Sequence, residues 1–542
     1  MLQCRRHLLA GVLLLGFQAP GWSQTSTPLD ELRVDREQPV DAPRPEEPSE
    51  SVPAAAVQVE AEDAAAAPIR SIHFVGTDVP RIVGTAAEAF IGKPATRSNL
   101  QALAAAMTAA YGRSDVALFT IVIPKQDLSS GDLRILVAEG FIQNVVLTGE
   151  VEGRALTLVR AYADKLTKEQ PTSRRRLERY LSLIRDIPGV KVESRLEMGQ
   201  GRGAVRLVLK LDHERPRIGF GFDNRTTRLI DFGQVHGRAL AFGTFREGDR
   251  TEITGTASVN FKDLLFISLS HSTPLGSEGT RLTVSAGHME TNPSVSDISG
   301  NADTFGITVS HPLIRSFRRN VTLSAAVDAV DSDNTAFGSI IVSEKSRAAR
   351  AAIGFSFTAP RSALSGGVTV SQGLDILGAD IALGQGEEDF LKANARLGMT
   401  RSLGRAVLRL NASAQWSDDA LPAVERFSIG GEQFGRAFEK GLISADRGAA
   451  GLAEFAVRPI RSGSFRPTEV YAFIDYGVLK LLQRPNFPGQ RFDLASAGSG
   501  IRIGYRDNAM IGFEAANTLD RPYSGYGSEW RFSIHWRVSF RP

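Results

Sequence analysis

A regular alternation of apolar and polar side chains dominates the chain from about residue 217 to its end. In the last stretch every second residue from Trp530 to Phe540 is apolar, while the residues between them, from Arg531 to Arg541, are polar. A period of two is typical of a β-strand that has one apolar face. Such stretches recur about every 20 residues, membrane strands need about 9–11 residues, and bacterial barrels have even strand numbers. The pattern predicts a membrane β-barrel of about 16 antiparallel strands over residues 215–542.

A large soluble β-sandwich is the alternative explanation of this alternation. In a sandwich each apolar strand face would have to be covered by a second sheet. An exposed last strand with six large apolar groups on one side would aggregate in water, whereas the same face is stable against lipid. The membrane barrel is therefore favoured.

The region before the barrel has mixed periodicity. Residues 68–139 predict a strand, two helices and two strands, and residues 140–214 repeat this β-α-α-β-β order. The second helix of the first unit carries Leu100, Leu103 and Met107 on one face, and Thr172 is a candidate cap for the last helix of the second unit. We therefore expect two small α+β units, each with its own core.

The first 67 residues look unlike the rest. Residues 1–23 have a positive start, an apolar stretch too short to span a bilayer and small residues before the expected cleavage site, as in a secretory signal peptide. Residues 24–67 are acidic and rich in proline and alanine, which predicts a mobile linker. Either a short plug helix from Pro28 or plain disorder fits its first part. The only cysteine, Cys4, lies in the signal, so the mature chain has no disulfide.

The sequence contains no recognisable catalytic or metal-binding motif. The eight histidines are scattered, and neither a HExxH motif nor a G-x-S-x-G motif is present. We therefore expect no catalytic residues, no metal site and no cofactor. The chain has a net charge of +3, and its positive residues are spread thinly along the sequence, which does not favour nucleic acid as a partner. These observations favour transport over an enzymatic activity.

One segment of the barrel region has neither a strand period nor a helical period. It covers residues 427–448 and is rich in glycine, which marks backbone that bends sharply or passes close to another group. It predicts a long loop with a special conformation. Its candidate functional residues are Gly430, Gly431, Gly435, Arg436, Phe438 and Asp446.

Three stretches resemble the outer-membrane transporters of two-partner secretion, of the haemolysin-secretion and filamentous-adhesin-secretion type. "IPKQDLSSGDLRILVAEG" is similar to the junction between the two POTRA domains of that family, and "RYLSLIRDIPGVKVESRLEMG" to a passage in its second POTRA domain. "ERFSIGG", "FGRAF" and "ADRG" are similar to its sixth extracellular loop. The resemblance implies that the two α+β units are POTRA domains.

The same resemblance implies that the glycine-rich loop folds back into the barrel. The tip of this loop usually reads Val-Arg-Gly-aromatic in the family, whereas here it reads Gly435-Arg436-Ala437-Phe438. The arginine is implied to meet an acid in the pattern Phe-x-Asp-x-Gly. That pattern occurs here with Phe473, Asp475 and Gly477, and strand alternation independently places Asp475 towards the lumen. A guanidinium–carboxylate pair between Arg436 and Asp475 is therefore expected.

The function implied by the resemblance is export of a large, unfolded partner protein across the outer membrane of a Gram-negative bacterium. The POTRA domains would lie in the periplasm, and the barrel would contact outer-membrane lipid after insertion by the barrel assembly machinery. The chain ends in Arg541 and Pro542 and not in the usual aromatic residue. Two alternatives remain open at this point: a factor that inserts other barrels, and a passive porin or adhesin.

Overall fold

The structure is a computed structural model. It describes residues 55–59, 67–149, 156–230, 232–337, 339–382, 384–460, 462–465, 467–485, 488–506, 508–527 and 530–540. The signal peptide expected at residues 1–23 and the plug helix expected near Pro28 lie outside the described residues, as does most of the acidic linker.

The first α+β unit has a four-stranded sheet in the order β1-β3-β4-β2, with both helices packed against it. The predicted apolar face of its second helix is buried in this core, and the Thr96 side chain caps that helix by accepting a hydrogen bond from the Asn99 backbone N–H. The elements are β1 (Ala55–Val59), β2 (Ser71–Val75), α1 (Arg81–Glu88), α2 (Arg97–Tyr111), β3 (Phe119–Ile123) and β4 (Asp132–Glu139).

Strand β1 corrects the expectation that residues 24–67 form only a linker. It pairs in parallel with β3, from Ala55 opposite Phe119 to Val59 opposite Ile123, and Val59 packs against the core. The edge of a sheet offers unpaired backbone groups that bind any extended segment of suitable sequence. The short run Ala-Ala-Val-Gln-Val lacks the prolines and most of the charges of its surroundings, which makes it suitable.

The second unit repeats the β-α-α-β-β order that the first unit has from β2 onward, and its three-stranded sheet has the order β5-β7-β6. Ser173, and not Thr172, caps the last helix, because the Ser173 hydroxyl accepts a hydrogen bond from the Arg176 N–H. Thr172 is instead buried, and its hydroxyl accepts a hydrogen bond from the Ile142 N–H. The elements are β5 (Phe141–Gly149), α3 (Thr157–Leu166), α4 (Arg174–Arg185), β6 (Val190–Met198) and β7 (Ala204–His213).

The rest of the chain forms a closed antiparallel barrel, which confirms the predicted fold class and strand number. A two-residue strand, β17 (Asp380–Ile381), pairs beside the sixteen wall strands. The barrel closes where β26 pairs with β8. The wall strands are β8 (Arg217–Asp223), β9 (Gln234–Phe242), β10 (Arg250–Ser258), β11 (Leu264–Leu275), β12 (Thr280–Thr291), β13 (Ile298–Arg315), β14 (Arg319–Ala336), β15 (Ser339–Ala359), β16 (Ser362–Gly373), β18 (Leu391–Leu403), β19 (Ala406–Ser417), β22 (Arg447–Val457), β23 (Glu469–Leu481), β24 (Gln490–Tyr505), β25 (Ala509–Asp520) and β26 (Trp530–Phe540).

The two faces of the wall differ as the sequence predicted. On β26 the apolar residues Trp530, Phe532 and Phe540 are exposed on the outside, whereas Ser533 is buried on the inside. Such an apolar outer band is what a barrel presents to lipid. No helix among the described residues is long and apolar enough to cross a membrane.

The second α+β unit is docked on one end of the barrel, called the near end here. Helix α3 begins at this contact, and the Glu247 carboxylate from the turn between β9 and β10 accepts hydrogen bonds from the backbone N–H groups of Leu158 and Val159, at 2.9 and 3.2 Å. The helix has no side-chain cap of its own. A carboxylate from the barrel therefore satisfies the N–H groups that a helix leaves unpaired at its start.

Helix α4 adds further ionic contacts to the same interface. Arg315 at the end of β13 makes two hydrogen bonds to Asp186, both of 2.6 Å. In the turn between β11 and β12, Glu278 pairs with Lys165 and accepts a hydrogen bond from the Tyr180 hydroxyl at 3.1 Å. The docking interface therefore contains two carboxylates, Asp186 and Glu278, that pair with cationic side chains across it.

We expect acid to loosen the docking of the second unit through Glu278. Partial burial raises the pKa of Glu278, but hydrogen bonds from Lys165 and Tyr180 and the charges of Lys165 and Arg179 outweigh it and lower that pKa below its ordinary value. A lowered pKa stabilises the docked form above the ordinary value, and this contribution is lost as the pH falls through the lowered pKa. Spin labels on Met198→Cys and Arg246→Cys should therefore show a broader distance distribution at acid pH.

Glu278→Gln is the matched control for this titration, because it keeps the shape of the side chain and removes its charge. In Glu278→Gln the spin-label distance distribution should already be broader than that of the parent at neutral pH. On acidification it should broaden less than that of the parent, because residue 278 no longer titrates. Identical distributions for Glu278→Gln and the parent at neutral pH and across the titration would contradict the prediction.

Candidate functional site

The glycine-rich segment forms a loop that runs from Asp418 to Asp446 between β19 and β22, called the inward loop here. It starts with a 3-10 turn at Ala423–Glu425 and then forms a hairpin of β20 (Phe427–Ile429) and β21 (Ile443–Ala445). The tip of the hairpin, residues 430–442, contains Gly431, Gly435 and Arg436, with both glycines at positive φ. The loop is thus a folded element and not an extended external loop.

Gly430 makes the sharp turn at the start of the tip possible. Its φ is +124°, which side chains rarely allow, and a Cβ at this position would lie 1.9 Å from the carbonyl oxygen of Glu439. The obstacle is backbone, so it cannot move aside as a side chain could. The position therefore requires glycine for the two sides of the tip to approach each other.

Apolar side chains hold the hairpin against one side of the wall. Phe438 is fully buried and Ile429 nearly so, and they share a cluster with Tyr471 and Phe473 of β23. Gly477 of the same strand lies directly beneath the hairpin, where a Cβ would come within 2.2 Å of the Ile429 Cδ1. The Phe-x-Asp-x-Gly pattern therefore combines an aromatic contact with a glycine that leaves room for the loop.

The start of the inward loop reaches the opposite side of the wall. Val424 packs with Leu264 of β11, Met289 of β12 and Val330 of β14. The buried Glu425 carboxylate is held by Arg350 of β15 at 2.8 Å and by Lys392 of β18 at 2.9 Å. Since the hairpin packs on β23, the loop crosses the lumen from one side to the other.

Asp446 fixes the end of the inward loop. Its carboxylate makes two hydrogen bonds with Arg484, of 2.8 and 3.1 Å, and accepts the backbone N–H groups of Leu421 and Leu482 at 2.8 and 2.7 Å. Asp446 thus ties both ends of the loop to the connection between β23 and β24.

Arg436 at the tip contacts several parts of the wall at once. Its Nη1 donates to Glu454 of β22 at 3.0 Å and to Glu514 of β25 at 3.1 Å, and its Nε donates to the carbonyl of Glu432 at 2.9 Å. The guanidinium also lies over the Phe473 ring, 4.6 Å from its centroid. One side chain therefore ties the loop tip to three wall strands.

The expected pair between the Arg436 guanidinium and Asp475 is not the contact that the structure shows. Asp475 does face the lumen and is 2 % exposed, but its carboxylate accepts the Arg436 backbone N–H at 3.2 Å and the Ser496 hydroxyl at 2.7 Å. Asp475 lies beside the backbone of the tip, so the long guanidinium passes it and reaches Glu454 and Glu514. Sequence reasoning missed both glutamates, although each lies at a lumen-facing position of its strand.

Asp475→Ala should therefore weaken secretion less than loss of the Arg436 side chain does. The variant leaves the Arg436 N–H and the Ser496 hydroxyl without their acceptor. Each of these groups that stays buried without a new hydrogen-bond partner lowers the stability of the folded loop by about 1–3 kcal/mol. The contacts of the guanidinium to the two glutamates remain. The measurement is the amount of exported protein in the culture supernatant for each variant at equal barrel abundance. Equal losses for Asp475→Ala and Arg436→Ala would contradict this order.

The two glutamates belong to a wider ionic network on the lumen wall. Glu514 also binds Arg225 at 2.9 Å, and Glu454 also binds Arg502 at 2.6 Å and Arg409 at 2.8 Å. Each glutamate therefore has at least one arginine partner outside the inward loop: Arg225, in the connection between β8 and β9, for Glu514, and Arg502 and Arg409 for Glu454.

The described residues contain no group of His, Cys, Asp and Glu that could hold a metal ion. His535, the histidine of the last strand, is half-buried on the lumen side near Arg225 and Arg502.

Comparison with known proteins gives one consistent result. Residues 213–503 match the model of the family described as haemolysin secretion/activation protein ShlB/FhaC/HecB, and residues 67–140 match the ShlB-type POTRA domain. The heme/hemopexin transporter protein HuxB of Haemophilus influenzae is 21% identical over 80% of this chain and 79% of its own length. The outer membrane transporter CdiB of Escherichia coli is 24% identical over 65% of this chain and 62% of its own.

Solved structures agree on the fold. CdiB from Escherichia coli superposes with a TM-score of 0.69 at 19% identity, over 94% of this chain and 95% of that one. BamA from Haemophilus ducreyi lacking its POTRA domains 1–3 gives a TM-score of 0.53 at 13% identity, over 88% of this chain and 100% of that one.

Proposed function

The chain belongs to the haemolysin secretion/activation family of two-partner secretion transporters, and from that premise we propose how it exports its partner protein. The POTRA units capture an unfolded polypeptide in the periplasm, and the barrel passes it outward through the lumen. The observation that carries the proposal is the inward loop, which crosses the lumen and is held there by contacts that can be exchanged for wall contacts.

Capture by the POTRA units would use sheet edges. An extended polypeptide can add a strand to such an edge and gain backbone hydrogen bonds whatever its sequence. Strand β1 supports this mode, because it is an extended segment bound in parallel to the edge strand β3. The equivalent edge of the second unit, β6, carries no strand pairing on its outer side among the described residues and lies in the unit that docks on the barrel.

Passage requires the inward loop to move within the lumen or towards one side. Its tip is held by charged contacts whose wall partners have other arginines, so release of Arg436 does not leave a bare carboxylate on the wall. We propose no catalytic step and no nucleotide site. Folding of the exported protein outside the cell would then supply the direction of transport.

A barrel assembly factor is the second candidate, and a passive porin the third. The likeness to BamA supports the shared barrel fold alone. An inward loop that crosses the lumen is unfavourable for a passive pore. Outer-membrane lipid and the barrel assembly machinery are proposed partners of the barrel itself.

The test is to delete residues 69–212, which make up the two POTRA units, and to follow both the barrel and the culture supernatant. We expect a heat-modifiable barrel in the outer membrane and the loss of one large exported protein, because among the described residues the barrel strands pair only with one another. Continued export by the truncated barrel would refute capture by the POTRA units. Depletion of many outer-membrane proteins on loss of the gene would favour the assembly factor.

A further inference from the structure

A chamber lies in the lumen between the tip of the inward loop and the near end of the barrel. Its volume is about 1130 Å³, and Glu432 and Arg436 of the loop tip form part of its lining. The other charged residues around it lie on wall strands and near-end turns. Together the charged lining residues are Arg405, Arg409, Arg436, Arg458, Arg502 and Arg537, with Glu432, Glu454 and Glu469.

Positive charge dominates this lining, with six arginines against three glutamates. Two of the glutamates are already engaged, because Glu454 binds three of the arginines and Glu469 binds Arg409, Arg458 and Arg502. The carboxylates therefore do not neutralise the chamber. A concave surface of one charge sign with low-dielectric walls concentrates ions of the opposite sign.

Two arginines of the chamber have guanidinium groups without a partner among the residues that the structure describes. Arg405, in the turn between β18 and β19, and Arg537, on β26, are exposed and make no side-chain ion pair or hydrogen bond with any described residue. Both lie on the near-end side of the chamber, where a polypeptide coming from the second POTRA unit would enter. They are free to bind an incoming group.

The same sign of charge continues on the other side of the loop hairpin. A smaller cavity of about 230 Å³ is lined by Arg225, Arg396, Arg426 and Lys440, with Asp223 and Glu432 as its acids. The positive surface therefore borders the hairpin on two sides, along the direction in which a chain would cross the lumen.

From these observations we propose that the chamber binds acidic stretches of polypeptide, with Arg405 and Arg537 as the first contacts. A guanidinium binds a carboxylate through two parallel hydrogen bonds, and several such pairs along an extended chain need no particular sequence beyond its acids. The assignment of these stretches to the exported protein rests on the proposed function. The binding site itself does not depend on it.

The proposal is tested with the full mature chain in a non-ionic detergent and fluorescein-labelled decaglutamate as the probe. We expect saturable binding by fluorescence anisotropy that weakens as salt is added, and weaker binding of decalysine. The double variant Arg405→Gln/Arg537→Gln should lower the affinity for decaglutamate about tenfold or more, since two charge-assisted contacts are lost. Arg361→Gln is the matched control, because Arg361 lies in another near-end turn outside the chamber lining.

The acidic residues 24–54 of the chain itself could compete with the probe, so the titration is repeated on a chain lacking them. Binding in either form that depends on Arg405 and Arg537 supports the chamber. Absence of binding in both forms, equal binding of decalysine, or equal loss with Arg361→Gln overturns it. Binding without any secretion in cells would reject the transport function and leave the chamber in place.

Discussion

Arg436→Ala should abolish most secretion while the barrel still inserts. The substitution removes the contacts to Glu454 and Glu514 and the cation–π contact with Phe473. Breaking a buried ion pair costs on the order of 3–5 kcal/mol, and the other arginines of the network reduce this for the wall. The inward loop receives no such compensation, because Arg436 is the tip residue that binds these two glutamates. We therefore expect a displaced loop in an intact barrel.

Arg436→Lys should rescue poorly. The Arg436 side chain uses Nε and Nη1 for three acceptors at once, and its guanidinium also lies over the Phe473 ring. An ammonium is a compact charge without this planar fork and cannot reproduce that geometry.

The measurements for Arg436 are exported protein in the supernatant, heat-modifiability of the barrel and protease cleavage of the loop on intact cells. Arg228→Ala is the control, because Arg228 also contacts the loop tip, through Glu439, but its side chain is 75% exposed. Exposed ion pairs contribute little, so its secretion should be close to that of the parent. Normal secretion by Arg436→Ala, with loop cleavage no faster than in the parent, would contradict the prediction that Arg436 holds the inward loop in place.

Gly430→Ala should be almost as damaging, although it adds one methyl group and removes no contact. The methyl carbon would overlap the Glu439 carbonyl oxygen, and the residue would have to keep a φ of +124°. Alanine strongly disfavours that backbone conformation, so the hairpin tip must open. An open tip cannot hold Arg436 in place, and we expect loss of most secretion and faster loop cleavage.

Gly463→Ala is the matched control for this substitution. Gly463 lies in the turn between β22 and β23, has a φ of +81°, and a Cβ there would meet no atom within 4 Å. Like Gly430 it has a positive φ, which alanine disfavours, but an added methyl group would meet no collision there. Secretion by Gly430→Ala that matches Gly463→Ala would show that the close approach of the two sides of the tip is unimportant.

Strand alternation was sufficient to predict the barrel, its strand number and the lumen-facing position of Asp475. Strand alternation predicts whether a side chain points into the lumen or outward, but it does not predict how high in the barrel the side chain lies or which part of the wall it occupies. The partners of Arg436 depend on both, since β22 and β25 come close to the tip only after the barrel has closed and the loop has folded inward. The same limit applies to Asp186 and Arg315, which lie 129 positions apart in the chain.

Glycine density identified the unusual loop because a tight approach leaves a local mark in the sequence. Strand β1 left no such mark. Its five residues stand out from a proline-rich, acidic neighbourhood only when the free edge of β3 is known. The composition of residues 24–67 as a whole predicted a linker, and it did not reveal the five residues of β1, whose composition differs from the rest.

The Glu247 contact has a consequence for work with soluble fragments. A POTRA fragment that ends near residue 214 lacks the Glu247 carboxylate, which accepts hydrogen bonds from the first N–H groups of α3. The N-cap residue Leu156 has an apolar side chain that cannot accept these hydrogen bonds instead. Loss of a helix cap typically costs about 1 kcal/mol, so the first turn of this helix should fray in the fragment. Peptide affinities measured on excised POTRA domains would then describe a looser surface than the one presented in the intact transporter.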